Sequence, residues 1–265
     1  MMLAITNDHG VLRVVLDRAE AKNALTTDMR DGITDALRSA RHDTDVRCVL
    51  ITGAGDAFCS GMDLSASTVM QAGRPEFRTR MTSEALRIGV QAFIRELWEL
   101  DKPTVAVVNG AAVGPGAHLA LACDFVLVHA GTKFIWTFPK WGLVVDAGGA
   151  YLLPRLVGLP KAKELVMLGE SIVGAEAVAH GLALRCYDDV ASLTVAGDEL
   201  VARLAAAPTR SLGLSKRLLN ASFETDLASS LELEGHFQAL ATTSPDLLEG
   251  MSAFREKRAA EFRGD

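Results

Sequence analysis

Hydrophobic and polar positions alternate at the start of the chain, and the spacing then changes to a helical period. Residues 3–5 and 11–16 alternate on either side of the turn-forming residues 7–10, which predicts a β-hairpin. Between residues 28 and 41, apolar side chains recur every three or four positions, which predicts a helix. A further strand is predicted at 46–52. The chain therefore opens with two strands, a helix and a third strand.

The middle of the chain alternates between strand and helix patterns. Residues 65–82 are polar and show no sustained period, so they predict a loop, and residues 85–100 predict a helix. Strands are predicted at 104–108 and 125–129, with a helix at 117–123 between them. This alternation predicts an α/β sheet with helices packed on it.

From residue 161 onward the pattern is helical. Helices are predicted at 161–170, 175–183, 195–206, 209–222, 226–242 and 245–262. A boundary near residue 205 separates the mixed part from the purely helical part. We therefore predict a core over residues 1–205 and a helical C-terminal region over residues 206–265.

Composition limits the partners. The chain has 49% hydrophobic residues and a net charge of −6, without a basic tract, which argues against nucleic-acid binding. The most apolar stretch, 105–130, is interrupted by Asn109, Pro115 and Asp124 and is therefore not predicted to span a membrane. The N-terminus lacks a basic start followed by an apolar run. We expect a cytoplasmic protein with neither a membrane nor a nucleic-acid partner.

Glycine-rich turns are the strongest candidates for chemistry. Four widely spaced cysteines predict reduced thiols rather than disulfides or a metal site, and no phosphate-binding glycine motif or HExxH motif is present. Two turns, 59–64 and 109–116, each follow a strand. Such turns can present free backbone N–H groups at one point, as an oxyanion hole does. Two ordinary turns between strands and helices would explain the same glycines.

Five sequence motifs follow one another along the chain. They are AKNALTTDM at 21–29, GAGDAFCSGMDL at 53–64, DKPTVAVVNGAAVGPGAHLALACDFVL at 101–127, WGLVVDAGGAYLLPRLVG at 141–158 and LVMLGESIVGAEAVAHGLA at 165–183. Their order and spacing resemble the enoyl-CoA hydratase/isomerase family, the crotonase superfamily, over nearly the whole chain. The resemblance implies a crotonase-like spiral of ββα units. It also implies a helical C-terminal region for trimerisation, giving a homotrimer or a hexamer that is a dimer of trimers.

The resemblance further implies an acyl-CoA thioester as substrate, with its enolate oxygen held by two backbone amides. By motif match the first donor is the N–H of Met62. The second position falls on Pro115, which has no N–H. We favour the interpretation that the amides of Gly116 or Ala117, at the start of the next helix, take over this role. The alternative is that the hole lacks one donor.

The acid–base positions also depart from the family pattern. The two glutamates of the family's hydratases match His118 and Phe138 here, so hydration by the usual pair is not expected. His118 is either an acid–base group or, more simply, a packed histidine with local bonds. Asp146 matches the position of the catalytic carboxylate in several family isomerases and a dehalogenase. Its apolar neighbours favour a raised pKa, although Asp146 could instead cap a helix beginning near Gly148.

The remaining candidates are predicted to bind the substrate. We expect Trp136, Phe138 and Trp141 to line an apolar acyl pocket, with packing between subunits as the alternative. Lys22 is predicted to face the CoA phosphates, with a solvated lysine as the alternative. The other predicted substrate contacts are Ala24, Ser60, Asp63, Leu64 and Pro115.

These observations predict a Δ3-to-Δ2 enoyl-CoA isomerase in which Asp146 moves a proton from C2 to C4. No metal or redox cofactor is expected, because CoA enters as part of the substrate. Two alternatives stay open: an enoyl-CoA hydratase with a degenerate site, and a non-catalytic acyl-CoA-binding protein. The replacements at Pro115, His118 and Phe138 favour the binding protein, and the presence of Asp146 favours the isomerase.

Overall fold

The strands form two sheets in a computed structural model that describes residues 2–63 and 75–265. In chain order the described strands are β1 (Leu3–Asp8), β2 (Val11–Leu16), β3 (Cys48–Gly53), β4 (Ala57–Cys59), β5 (Thr104–Val108), β6 (Ala111–Val113), β7 (Phe125–His129), β8 (Lys133–Ile135), β9 (Ser171–Val173) and β10 (Arg185–Tyr187). The larger sheet has the order β1-β2-β3-β5-β7-β10, and the smaller has the order β4-β6-β8-β9. All neighbours are parallel except β1 with β2 and β8 with β9.

Ten α-helices are described in the same ranges. They are α1 (Thr27–His42), α2 (Pro75–Ile88), α3 (Val90–Trp98), α4 (Pro115–Leu121), α5 (Gly149–Leu168), α6 (Gly174–Ala179), α7 (Val190–Ala205), α8 (Thr209–Ala221), α9 (Leu227–Ala241) and α10 (Pro245–Glu256). A kink at Gly158, where φ is 76°, divides α5. Within the described ranges, no helix combines the length and apolarity needed to cross a membrane.

The predicted hairpin and the predicted spiral are both confirmed. Asp8 pairs with Val11, and the two-residue turn at His9 and Gly10 has positive φ at both positions, as a tight antiparallel turn requires. Strands β3, β5 and β7 of the large sheet are each followed by a strand of the small sheet, and then by helical segments. This repetition is the ββα unit that the family resemblance implies.

The central strands of the large sheet are buried on both faces. On β3, Val49 and Ile51 pack into the main core with α1, α3, α4 and α5, whereas Leu50 between them packs against α7. Side chains on a strand alternate between the two faces, which explains this division. Near-continuous apolar strands such as β5 are typical of parallel sheets covered on both sides.

Three predicted boundaries are wrong. The predicted helix at 85–100 is interrupted at Gly89, whose φ of −101° and ψ of −112° separate α2 from α3. Residues 75–82, predicted as loop, belong to α2, and the rest of that prediction lies outside the described residues. The last helix ends at Glu256 rather than at Phe262, because Lys257 adopts the left-handed conformation with φ 56°.

A buried ion pair joins α8 to the core. Lys216 Nζ lies 2.9 Å from Asp124 Oδ2 and also donates to the carbonyl oxygens of Leu97 and Lys102, at 3.4 and 3.3 Å. The same carboxylate oxygen accepts from the N–H and the hydroxyl of Thr104, at 2.8 and 2.9 Å. The three ammonium protons thus have three acceptors. The cluster fixes α8 against the strands that lead into the candidate site.

The segment after α10 is irregular, but charged side chains hold it. The Asp246 carboxylate accepts from the backbone N–H groups of Arg263 and Gly264, at 2.7 and 2.8 Å. The Arg47 guanidinium donates to the carbonyl oxygens of Phe262 and Ala207. The end of the chain is therefore attached both to α10 and to the start of β3.

Candidate active site

The two glycine-rich turns predicted to carry chemistry pack directly against each other. A Cβ atom at Gly61, where φ is 97°, would lie 3.0 Å from the carbonyl oxygen of Val113 and 3.5 Å from Cδ of Pro115. A Cβ at Gly116 would lie 2.3 Å from the carbonyl oxygen of Cys59. Only glycine permits approaches this close. The structure therefore brings the turn after β4 and the turn after β6 to one place.

The backbone of the first turn leaves one amide unused. Leu25 N–H donates to the Gly61 carbonyl at 2.8 Å, and Asp63 N–H donates to the Leu25 carbonyl at 2.9 Å. The N–H of Met62, between these two bonds, meets no acceptor within the part of the chain that the structure describes. The N–H of Met62 is thus available for the donor role that the family resemblance implies.

The second turn supplies donors from the start of α4. Pro115 is the first helical residue and follows Gly114, and no side chain caps the helix. The first N–H of this helix with a backbone acceptor is that of His118, which donates to Gly114 at 3.1 Å. Among the described residues, the amides of Gly116 and Ala117 have no such acceptor, as expected in a first helical turn. They are the available substitutes for the missing N–H of Pro115.

His118 points from α4 into a fully buried position. Its Nε2 accepts a hydrogen bond from the indole Nε1–H of Trp136 at 3.0 Å, and its ring stacks on Phe138 with 5.9 Å between centroids and 6° between planes. Burial lowers the pKa of His118 to about 4, and the nearby backbone of Asp146 opposes part of that shift. The imidazole is therefore neutral at neutral pH. Its Nδ1 makes no hydrogen bond of normal geometry to any described group.

The predicted aromatic wall is only partly assembled. Trp136 is fully buried and Phe138 is 6% exposed, but the side chain of Trp141 is turned outward and is 63% exposed. Phe138 belongs to a 3₁₀ turn at Phe138–Trp141. The structure therefore brings Trp136 and Phe138 together around His118 and leaves Trp141 on the surface of the single chain.

Asp146 lies on the turn that precedes α5. The N-cap of α5 is Gly148, and no side chain caps this helix, so the alternative that Asp146 is a helix cap is wrong. Asp146 Oδ1 is buried and has no hydrogen-bond partner in the described ranges. Burial raises the pKa of Asp146 to about 6, and its own backbone N–H opposes the shift only in part. A carboxylate of this kind is a suitable general base near neutral pH.

Several predicted substrate contacts already have protein partners. Lys22 Nζ lies 2.7 Å from both carboxylate oxygens of Asp56, and both side chains are exposed. Asp63 pairs with Arg18 at 2.5 Å, and the same guanidinium donates to the carbonyl of Ala24 at 3.2 Å. The ion pair between Arg18 and Asp63 holds the turn that carries Met62.

Ser60 and Asn23 complete this region. The Ser60 hydroxyl donates to the Ala21 carbonyl at 3.2 Å. Asn23, which was not among the predicted site residues, is fully buried. Its side chain donates to the carbonyls of Ala54 and Ala57 at 2.9 and 2.8 Å. Its backbone has a positive φ of 57°, a conformation in which asparagine is common. The asparagine in the motif AKNAL was therefore a sequence signal for such a turn. The predicted contact Leu64 lies outside the described residues.

A comparison with known protein families identifies the family of this chain. A family model described as enoyl-CoA hydratase/isomerase matches residues 6–265. The chain belongs to the enoyl-CoA hydratase/isomerase family. Its members act on acyl-CoA thioesters. The predicted resemblance is therefore confirmed.

Individual family members carry different activities in their names. The chain is 36% identical to a 1,2-epoxyphenylacetyl-CoA isomerase from Escherichia coli strain K12, covering 97% of this chain and 96% of that protein. It is 31% identical to the mitochondrial enoyl-CoA hydratase domain-containing protein 2 of Bos taurus, covering 97% and 86%. A crystal structure of an enoyl-CoA hydratase from Bacillus anthracis matches with a TM-score of 0.90 at 28% identity, covering all of both chains.

Proposed function

We propose that this protein is an enoyl-CoA isomerase that moves a double bond from Δ3 to Δ2 by proton transfer through Asp146. The observation that carries the proposal is the buried, unpartnered Oδ1 of Asp146 beside a histidine and a phenylalanine that replace the hydratase carboxylates. A single carboxylate can both remove and return one proton. Isomerisation needs no further acid–base group, whereas hydration also needs an activated water.

In the proposed reaction, the Asp146 carboxylate removes a proton from C2 of a 3-enoyl-CoA. The electrons of the broken C–H bond move to the thioester oxygen, giving a dienolate. Free N–H groups at Met62 and at the start of α4 stabilise this oxygen. The protonated Asp146 then gives its proton to C4, and the double bond lies between C2 and C3. The atoms balance without a metal or a redox cofactor, and CoA is part of the substrate.

The candidate hydratase and binding functions are less well supported. Phe138 has no proton to transfer and is packed on His118, whose low pKa keeps it neutral. A protein that only binds acyl-CoA has no use for a buried carboxylate with a raised pKa and no partner. One relative is named as an isomerase of a different CoA thioester, 1,2-epoxyphenylacetyl-CoA, which supports isomerisation over hydration.

We further propose that copies of this chain assemble through the helical region, as a trimer or a pair of trimers. Large apolar side chains on α9 and α10 are exposed in the single chain, among them Leu227, Leu248 and Phe254 at 74%, 71% and 85%. Exposure of this kind marks interaction surfaces. Sedimentation equilibrium measures the assembly directly.

The experiment that tests the enzymatic proposal compares two substrates and two proteins. The wild type and Asp146→Asn are each assayed for isomerisation of a 3-enoyl-CoA and for hydration of crotonyl-CoA. We expect wild-type isomerisation to exceed hydration by about 10²-fold or more, and Asp146→Asn to lose about 10²-fold of the isomerisation, the usual contribution of a positioned base. The amide keeps the shape of the side chain, so affinity for hexanoyl-CoA, measured by calorimetry, should be unchanged.

Faster hydration than isomerisation by the wild type would exclude the proposal in favour of a hydratase. Isomerisation by Asp146→Asn within about threefold of the wild type, well short of the effect of losing a general base, would remove Asp146 from the mechanism. Tight binding without turnover of either substrate would identify a binding protein.

A further inference from the structure

The side chain of Trp136 makes a contact that a wall of an acyl pocket does not need. Trp136 and His118 are both fully buried, and the indole Nε1–H donates to His118 Nε2 at 3.0 Å. An indole N–H can only donate, so Nε2 must be the accepting nitrogen of the imidazole. In a neutral imidazole the proton then lies on Nδ1. Trp136 therefore selects the tautomer of His118.

The imidazole ring is also held against rotation. Phe138 stacks on one side of it, and the start of α5 packs closely against its edge. A Cβ atom at Gly149 would lie 2.2 Å from both Cε1 and Nε2 of His118, so glycine is needed there. The ring thus links α4 to the turn that carries Asp146, and its orientation is set by packing as well as by the indole.

The imidazole ring also lies close to the backbone of Asp146. The backbone of Asp146 lies near enough to His118 to stabilise positive charge on the imidazole, although Nδ1 makes no hydrogen bond of normal geometry. This turn is unusual, because Ala147 and Gly148 both have positive φ, 47° and 78°. A non-glycine residue such as Ala147 keeps a positive φ only where the surrounding structure supports it. The proton on Nδ1 leaves Nε2 free to accept from the indole, and this bond holds the ring in the position where it packs against the turn.

We propose that Trp136 is a positioning residue, which fixes His118 in its Nδ1–H tautomer so that the histidine supports the Ala147–Gly148 turn and holds the Asp146 carboxylate toward the substrate. The inference rests on the proposed function of Asp146 as the base. It assigns His118 no proton transfer to the substrate. It also gives Trp136 a role in turnover rather than in acyl-chain affinity.

The first measurement concerns the tautomer itself and uses the unmodified protein. In protein labelled with ¹⁵N at histidine, the His118 signals, identified by their absence from His118→Phe, should report a protonated Nδ1 and an unprotonated Nε2 at neutral pH. In Trp136→Phe, which keeps an aromatic ring but removes the N–H, Nε2 should gain protonation. A wild-type His118 protonated on Nε2 would overturn the proposal, whether or not the variant folds.

The second measurement separates positioning from binding. Trp136→Phe should lower kcat for 3-enoyl-CoA isomerisation by roughly ten- to a hundredfold, since small displacements of a catalytic group cost rate, and should leave KM within about twofold. Trp98→Phe is the matched control, because Trp98 contacts Tyr151 outside this network. It should leave both constants unchanged. An unchanged kcat in Trp136→Phe, or a rise in KM alone, would contradict a positioning role.

Failure of this inference is distinguishable from failure of the proposed function. If Asp146→Asn abolishes isomerisation while Trp136→Phe does not affect kcat, Asp146 is the base and Trp136 does not position it. If Asp146→Asn retains full turnover, the proposed base is wrong and the positioning role falls with it. The tautomer measurement still reports separately on the bond between Trp136 and His118.

Discussion

Two buried polar clusters in this protein differ in how completely their hydrogen bonds are satisfied. At the junction of α8 with the core, Lys216 and Asp124 form an ion pair in which every ammonium proton has an acceptor. At the candidate active site, His118 Nδ1 and Asp146 Oδ1 are buried without a partner among the described residues. Both clusters bury ionisable groups between separate elements of the fold.

The difference indicates what each cluster is for. Unsatisfied buried polar atoms are costly, so folded proteins keep few of them, and those that persist call for a function. A cluster whose polar atoms are all hydrogen-bonded within the protein holds elements of the fold together. An unsaturated one keeps an acceptor for a substrate atom, at a cost in stability. The comparison therefore predicts opposite consequences for stability and turnover when each cluster is changed.

The largest expected effect is on stability. Lys216→Met should lower the free energy of unfolding by about 3–5 kcal/mol, because it leaves the Asp124 carboxylate partly buried without its counter-ion. Urea unfolding followed by circular dichroism measures this. Lys161→Met is the control, because Lys161 pairs with Glu164 at the surface and should change stability by less than about 1 kcal/mol. Equal urea midpoints for the wild type and Lys216→Met would contradict a stabilising role for the ion pair of Lys216 with Asp124.

A smaller effect concerns the pH dependence of stability at Asp146. Burial raises its pKa from 3.8 to about 6, so between these values the folded chain binds more protons than the unfolded chain. The free energy of unfolding of the wild type therefore falls as the pH rises from 3.8 toward 6, because the buried Asp146 carboxyl loses its proton. Asp146→Asn stays neutral, so it should gain about 1–2 kcal/mol over the wild type across this interval, after allowance for partial exposure.

Urea midpoints of both proteins, taken from acidic to mildly alkaline pH, measure this gain. The difference between them should grow through the acidic range and become constant above about pH 6, where the wild-type carboxylate is ionised. A constant difference at every pH would mean that Asp146 is not destabilised by its surroundings, and that its free oxygen has no energetic significance.

The smallest expected effect is at Pro115. If the amides of Gly116 or Ala117 already serve the oxyanion, Pro115→Gly should change isomerase turnover by less than about threefold, since glycine loosens the helix start by only roughly 0.5–1 kcal/mol. Steady-state kinetics on a 3-enoyl-CoA measure this. A tenfold or greater rise at unchanged affinity would mean that the natural turn lacks a donor that glycine restores.

The fold was predictable where a periodic pattern continues over many residues, and less so in short elements. The alternation in β2 and the helical period of α1 identified both elements from the sequence. Strands β4, β6 and β8 were missed because three residues cannot establish a period of two. The break at Gly89 was missed because the apolar spacing continues across it, although a Cβ there would meet Arg30 Nη1 at 2.4 Å.

The candidate site was predictable in its backbone and less so in its side chains. The family resemblance picked out Met62 and Asp146 as candidates, and the structure gives Met62 an unused N–H and Asp146 an unpartnered Oδ1 among the described residues. The bond between Trp136 and His118 has no such signal. It depends on how α4 and the segment after β8 pack in three dimensions. The outward orientation of Trp141 likewise depends on a 3₁₀ turn that apolar spacing does not indicate.

The attachment of residues 257–265 has a consequence for how the protein is made. Arg47 is synthesised early, yet its acceptors at Ala207 and Phe262 follow it by 160 and 215 residues. Contacts of such long sequence separation form late, because a large loop must close first. During synthesis, the guanidinium of Arg47 makes these two hydrogen bonds only after Ala207 and Phe262 have left the ribosome. The start of β3 thus acquires these hydrogen bonds from residues that follow it far along the chain.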